Sequence, residues 1–251
     1  MPMHAIDPRA VLRRVLRLKQ FSYATADRMN GRSELCLKLL YDRRPRGEIL
    51  NVGSSHGWLE DLTRSQSAFR VTGIEYDPAS LARARELVPE AQICQGSVLD
   101  LPFENESFDG ATMFEVIEHL PRGSEEAALR EISRTLKPGA WLLLSTPYVL
   151  TTLLDPLWYF GHRHYTKEGM ARLVRAAGFA LDDSFVRGGV WDLLTVDLFF
   201  LFKFAMDAES PFRERLERMR RREFLGEKDG LSDLFVVARK PEPAAADTSG
   251  S

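Results

Sequence analysis

Short apolar runs and amphipathic stretches take turns along most of this chain. GEILNVG is a run of large aliphatic residues that ends on a glycine, the pattern of a buried strand entering a tight turn. Trp58 to Ser65 then reads as a helix and RVTGIEYD as a second strand. PASLARAREL reads as a helix with Pro78 near its first turn, where a missing N–H costs nothing. AQICQG and FDGATMF follow as strands. SEEAALREISRTLK reads as a helix, with Ser124 as a capping hydroxyl ahead of an acidic first turn and Pro138 and Gly139 as its stop. AWLLLST is the next strand, TKEGMARLVRAAG a helix closed by Gly178, FALDDSFV a strand and DLFVVARK the seventh. Strands separated by helices argue for an α/β fold with a mainly parallel sheet covered on both faces.

The ends of the chain leave this rhythm. In PRAVLRRVLRLKQ, Val11, Val15 and Leu18 share a helical face with Leu12 and Leu16, and Arg9, Arg13 and Arg17 lie on another. A surface helix packing on the domain fits that pattern, as does a membrane-surface or targeting segment. An aromatic-rich helix is expected near 191 to 206 and an Arg/Glu-rich helix near 211 to 224. The stretch from Val190 to Met206 contains Asp192, Asp197 and Lys203 and is shorter than the ~20 residues a spanning helix needs, so it does not read as transmembrane. The expected organisation is a helical extension over 1–45, an α/β domain over 46–240 with a helical insertion at about 188–225, and a disordered tail over 241–251.

Composition narrows the function classes. With 251 residues, 44% hydrophobic, the chain can build one sizeable core. A net charge of -2 gives no global reason to expect nucleic acid as a partner. Cys36 and Cys94 are too few for a disulfide framework and form no metal-ligand cluster, so no metal is expected and a reducing, cytoplasmic setting fits best. RERLERMRRREF reads as a solvent-exposed helix supported by i,i+4 pairs, with Arg220 to Arg222 as a candidate anion contact.

The candidate chemistry begins at NVGSSHG. A strand ending in a small-residue turn brings backbone N–H groups and a positive helix end close to a ligand, since glycine has no Cβ to obstruct approach. Glu75, closing the next strand, can accept hydrogen bonds from both hydroxyls of an adenosine ribose. The NAD fingerprint G-x-G-x-x-G is not met by the Gly53, Ser55, His56, Gly57 spacing, which speaks against an oxidoreductase.

ILNVGSSHG, GIEYDP, GSVLDLPFENESFD, FEVIEHL and ISRTLKPGAWLLLSTP with LVRAAGF, in this order, resemble the class I S-adenosylmethionine-dependent methyltransferases across roughly residues 48 to 180. The resemblance implies a Rossmann-like seven-stranded sheet, mostly parallel, with helices on both faces and an antiparallel last strand. It implies S-adenosylmethionine as cofactor. Asn51 would precede the turn, and Gly53, Ser55 and Gly57 would line the methionine end. Glu75 would hold the ribose, Tyr76 would lie against the adenine, Ser97 and the Val98 N–H would meet the ring edge, and Phe114 would flank the sulfonium. Asn51, Ser55 and Ser97 depart from the family's acid, glycine and acid. They motivate a second reading, a non-catalytic cofactor-binding or scaffold domain.

Methyl transfer to a hydroxyl benefits from a general base of near-neutral pKa, for which histidine suits. His119, just after the fourth strand, is the first candidate, although it and Glu118 also suit positioning of the loop or cofactor. His162 and His164 in FGHRHYT are the second candidates, and His56 is read as facing solvent. Trp158, Tyr159, Phe160, Trp191, Phe199, Phe200, Phe202 and Phe204 are read either as shaping an acceptor pocket or as core or homodimer interface. The expected acceptor is a small molecule, saccharide or lipid-linked hydroxyl, with peripheral membrane contact left open.

Overall fold

The computed structural model describes residues 30–151, 163–202 and 212–243. The basic stretch at 8–20, His162, the aromatic residues Trp158, Tyr159, Phe160 and Phe204, and the tail from 244 onward lie outside the described residues. The elements are α1 (Gly31–Asp42), β1 (Gly47–Val52), α2 (Trp58–Thr63), β2 (Phe69–Glu75), α3 (Pro78–Leu87), β3 (Gln92–Gln95), β4 (Phe108–Phe114), α4 (Glu125–Thr135), β5 (Leu136–Pro147), α5 (Lys167–Ala176), β6 (Ala180–Arg187), α6 (Val190–Phe200), α7 (Arg213–Leu225) and β7 (Asp233–Arg239).

Seven strands form one sheet in the order β3-β2-β1-β4-β5-β7-β6. Six strands are parallel and the last is antiparallel. The chain runs outward from β1 through β2 to β3 and then returns to place β4 on the other side of β1, so the strand order reverses between β1 and β4. In open parallel sheets, ligands bind beyond the carboxyl ends of the strands at such a reversal. That places attention on the residues following Val52, Glu75 and Phe114.

The expected periodicities account for these elements. Ile49 and Leu50 of β1, Ala111 and Met113 of β4, and Leu142 and Leu143 of β5 are fully buried, as central strands covered on both faces require. On α4, Ala128, Leu129 and Ile132 form the buried stripe. Burying each large aliphatic side chain is worth roughly 1.5–3 kcal/mol. Asp77 caps α3 by accepting from Ser80 N at 2.8 Å, and Pro78 follows in the first turn.

Three local expectations are corrected. Pro138 and Gly139 do not stop a helix: α4 ends at Thr135 and β5 already begins at Leu136. The register passes from Phe108↔Leu136 to Gly110↔Trp141, so these residues lie in a bulge of β5, where a proline and a glycine at φ +77° are accommodated. Ser124 precedes α4, but its hydroxyl donates to Pro121 O at 2.7 Å and gives no side-chain cap. The Arg/Glu-rich helix α7 is not solvent-exposed all round. Leu216, Arg220 and Phe224 form a buried face, and Arg220 pairs with buried Asp192 of α6 while Arg221 pairs with Glu34.

By packing, the chain resolves into two compact units. Of the described residues, one contains 40–145, 167–184 and 235–243; the other contains 30–39, 146–151, 163–166, 185–202 and 212–234. Among the described residues, no helix is long and apolar enough to cross a membrane.

Candidate functional site

The turn after β1 bends sharply because three of its residues adopt left-handed backbone. Gly53 has φ +78°, Ser55 +50° and Gly57 +79°. Glycine is required at 53 on steric grounds as well: a Cβ there would stand 2.3 Å from Val116 Cγ2, so the turn presses against the segment after β4. The Gly53 and Ser54 amides both donate to Ile74 O of β2, at 2.9 and 3.1 Å, which ties the turn to the neighbouring strand.

Glu75 completes this edge. Its Oε2 accepts from the Ser55 amide at 2.7 Å and its Oε1 from the Asp77 amide at 2.8 Å. An ionised carboxylate has about four acceptor sites. Two backbone amides therefore hold the group in one orientation and leave a lone pair on each oxygen for paired hydroxyls, so the residues present fit the ribose of an adenosine cofactor. The exposed Tyr76 comes directly after it, 77% accessible. The same bonding network at the start of α3, led by the Ser80 amide, holds the Asp77 carboxyl below its usual range.

On the next loop, Ser97 Oγ accepts from the Leu99 amide at 3.2 Å and the Val98 side chain is buried. Arg134 of α4 fastens the stretch from Leu101 to Asn105. It donates to Leu101 O, Phe103 O and Asn105 Oδ1, and Glu131 accepts from the Leu101 amide.

Beyond β4, the Phe114 ring lies 6.4 Å from that of Trp58, centroid to centroid. Glu115 adopts φ +56°, with its amide donating to Ser145 O at 3.0 Å and its Oε1 accepting from Ser145 Oγ at 2.7 Å. A short 3₁₀ turn, Ile117–His119, then buries Glu118 and leaves the His119 side chain half exposed, with His119 Nε2 3.9 Å from Glu118 Oε1. His164 belongs to the other compact unit and is half-buried. His56 is corrected: it is buried at 4% accessibility rather than facing solvent. Its pKa is lowered, first by burial and then by the Arg83 charge.

One cluster beneath the turn was not anticipated. Asn51, whose register neighbours are Gly73 on β2 and Thr112 on β4, accepts from Thr112 Oγ1 at 2.8 Å and donates through Nδ2 to Glu60 Oε1 at 2.8 Å. Ser54 Oγ donates to the same Glu60 oxygen at 2.8 Å. Ser54, Asn51, Glu60 and Thr112 are all buried, and Glu60 Oε2 has no partner among the described residues. Burial is the main cause that pushes the Glu60 carboxyl above its usual range, which favours the neutral acid. The two signals in the sequence were an acid in the first turn of an otherwise ordinary helix and an isolated glycine inside the strand pattern VTGI.

Comparison with known proteins agrees with this architecture. Residues 50–144 match the family described as a methyltransferase domain. A protein of Mycolicibacterium smegmatis named "Probable S-adenosylmethionine-dependent methyltransferase" is 32% identical over 159 residues, 61% of this chain and 60% of that protein. The phthiotriol/phenolphthiotriol dimycocerosates methyltransferase of Mycobacterium leprae is 35% identical over 100 residues, 38% of this chain and 35% of that protein. 24-Methylenesterol C-methyltransferase 2 of Arabidopsis thaliana is 35% identical over 114 residues, 43% of this chain and 31% of that protein. The alignments thus span at most 60% of these curated relatives. Among solved structures, an S-adenosylmethionine-dependent methyltransferase from Mesorhizobium loti aligns with a TM-score of 0.56 at 18% identity, over 82% of this chain and 97% of that one. The [4+2]-cyclase SpnF aligns with a TM-score of 0.59 at 21% identity, over 83% and 81%. At such identities these two speak for the fold alone.

Proposed function

We propose that this chain, whose residues 50–144 match the methyltransferase-domain family and which is similar to curated S-adenosylmethionine-dependent methyltransferases, transfers a methyl group from S-adenosylmethionine to a hydroxyl of a small-molecule, saccharide or lipid-linked acceptor. The observation that carries the reading is the Glu75 carboxylate at the end of β2, held between the Ser55 and Asp77 amides beside the turn after β1. When bound, the cofactor supplies the electrophilic methyl group. The protein's part is alignment and water exclusion.

In this reading Asn51 underlies the turn, Gly53, Ser55 and Gly57 line the methionine end, and Glu75 takes the ribose hydroxyls. Tyr76, Ser97 and Val98 border the adenine and Phe114 the sulfonium side. His119, half exposed beside a buried Glu118, takes the acceptor proton, with His162 and His164 as second candidates. The names of two relatives, a sterol C-methyltransferase and a phthiotriol/phenolphthiotriol dimycocerosates methyltransferase, support a lipid-like acceptor. A cytoplasmic homodimer touching membrane only peripherally, without nucleic acid, completes the proposal.

Titration calorimetry with S-adenosylmethionine, followed by mass spectrometry on a panel of hydroxylated saccharides and lipids, tests it. Binding that Glu75→Ala weakens by about tenfold or more, together with acceptors gaining one methyl group, is the expected result. Absence of binding at millimolar cofactor overturns it. Binding without turnover on the panel supports the non-catalytic reading.

A further inference from the structure

Glu60 is a buried acid with no part in binding or proton transfer as assigned to the other residues. It lies in α2, closed off from solvent, yet one of its oxygens gathers hydrogen bonds from two different parts of the cofactor edge. Asn51 Nδ2 reaches it from the end of β1, and Ser54 Oγ reaches it from within the glycine turn, both at 2.8 Å. Asn51 is in turn fixed by Thr112 of β4. The chain makes room for this arrangement. At Gly73, directly beside Asn51 in the sheet register, a Cβ would stand 2.1 Å from Ser54 Oγ and 2.4 Å from Glu60 Oε1.

Ser54 is the residue between the two that matter for the edge. Its neighbour Gly53 contacts the post-β4 segment, and its neighbour Ser55 donates the amide that orients Glu75. A side chain anchored at 54 therefore limits how far the 53 and 55 peptides can rotate. We propose that Glu60 is a positioning residue for the cofactor turn: by accepting from Asn51 and Ser54 it holds the Gly53–Gly57 backbone, and with it the Ser55 amide and the Glu75 carboxylate, ready for the ribose. Burial favours the neutral carboxylic acid, which accepts both hydrogen bonds without placing a second negative charge near Glu75. The inference rests on the methyltransferase reading for its ligand but not for its geometry.

The test compares Glu60→Gln, Glu60→Ala, Ser54→Ala, Asn51→Asp and the exchange variant Asn51→Asp/Glu60→Gln with the wild-type chain. Two quantities are measured: the Kd for S-adenosylmethionine, and the hydrogen exchange of the Ser54, Ser55 and Gly57 amides at matched global stability. The glutamine amide oxygen can accept both bonds, so Glu60→Gln is expected within about threefold of the wild-type Kd with unchanged exchange. Glu60→Ala is expected to raise the Kd by about tenfold or more and to speed exchange at 55. Asn51→Asp alone sets two acceptors against each other and is expected to weaken binding, and the exchange variant, which reverses donor and acceptor across the same pair, is expected to recover most of that loss.

A Glu60→Ala chain that folds and keeps both the affinity and the exchange rates overturns the proposal. So does a Glu60→Gln chain as impaired as the alanine variant, because a hydrogen-bond acceptor would then not be the property that counts. Should Glu60→Ala not fold, Ser54→Ala removes the same link with less disturbance, and unchanged exchange at 55 in that variant is equally decisive against. If the wild-type chain binds no cofactor, the proposed function fails while the exchange measurements still decide the role of Glu60.

Discussion

Gly73→Ala probes the tightness of the polar cluster under the turn. The glycine has no positive φ, so the substitution adds no backbone strain, and its effect comes from space alone. The added methyl would lie 2.1 Å from Ser54 Oγ, 2.4 Å from Glu60 Oε1 and 3.1 Å from Ile93 Cγ1. Neither polar neighbour can retreat into water, since Ser54 is 0% and Glu60 3% accessible. Overpacking of this kind costs about 1–3 kcal/mol, and displacing the Ser54 hydroxyl from Glu60 removes a buried hydrogen bond worth about 1 kcal/mol. Lower entropy of the unfolded chain returns roughly 0.4–1 kcal/mol. The balance is a destabilisation of about 1–3.5 kcal/mol, which in a domain of this size lowers Tm by roughly 2–14 °C. Differential scanning calorimetry measures it. The double variant Gly73→Ala/Ser54→Ala frees the space and should recover about 1 kcal/mol through non-additivity. A single variant melting with the wild type, or a double variant losing the sum of both effects, would refute the packing argument.

Glu60→Gln carries a pH signature. Because the folded-state pKa of Glu60 is raised, its contribution is full below the ordinary glutamate value of about 4.3 and is lost as pH rises through the folded value, at about 1.4 kcal/mol per unit of separation. Urea unfolding should therefore show the variant gaining on the wild type as pH rises, and parallel pH profiles would contradict this. Arg134→Ala removes the donor to Leu101 O, Phe103 O and Asn105 Oδ1. With the side chain a third exposed, a loss of about 1–2 kcal/mol is expected, read out as faster exchange of the 101–105 amides than elsewhere. Asp192→Ala removes the buried partner of Arg220, both side chains being under 10% accessible, and leaves it only the more exposed Glu217 carboxylate at 3.5 Å. It should cost about 3–5 kcal/mol, and Asp192→Ala/Arg220→Met should regain part of this in the same denaturation assay.

Strand and helix order was legible because both periodicities are local. Ile49, Leu50, Ala128 and Ile132 declare their elements within a few residues of themselves. The place of Glu75 at the end of β2 was legible for the same reason, and an acid closing an apolar run is what drew it into the proposed site. The cluster of Asn51, Glu60, Gly73 and Thr112 was not legible as a cluster, because its two signals, the acid at 60 and the glycine at 73, have nothing to connect them until the register sets Asn51 between Gly73 and Thr112. His56 was misread since nothing within the turn reveals that α3 and its Arg83 lie near it. Pro138 and Gly139 show the limit of punctuation signals. The same dipeptide suits a helix stop and a strand bulge, and the ladder decides: the Gly139 amide donates to Lys240 O and the Lys240 amide to Ala140 O.

Backbone strain sharpens where the working edge lies only when combined with what the strained residue touches. Among the described residues, four non-glycine positions have positive φ: Arg44, Ser55, Glu106 and Glu115. Each such conformation costs on the order of 1 kcal/mol or more, so strain alone ranks them equally. Arg44 precedes β1 and Glu106 precedes β4, at the amino ends of strands, where the strained residues simply turn the chain inward. Ser55 and Glu115 come after the carboxyl ends of the same two strands, and in both the unusual backbone serves a carboxylate. The Ser55 amide is aimed at Glu75, and the Glu115 carboxylate is aimed at the fully buried Ser145 hydroxyl at the end of β5. Two strained turns, each secured by a carboxylate hydrogen bond on either side of the strand reversal, differ from Arg44 and Glu106 in where they lie: beyond the carboxyl ends of the strands, where the proposed function puts the cofactor.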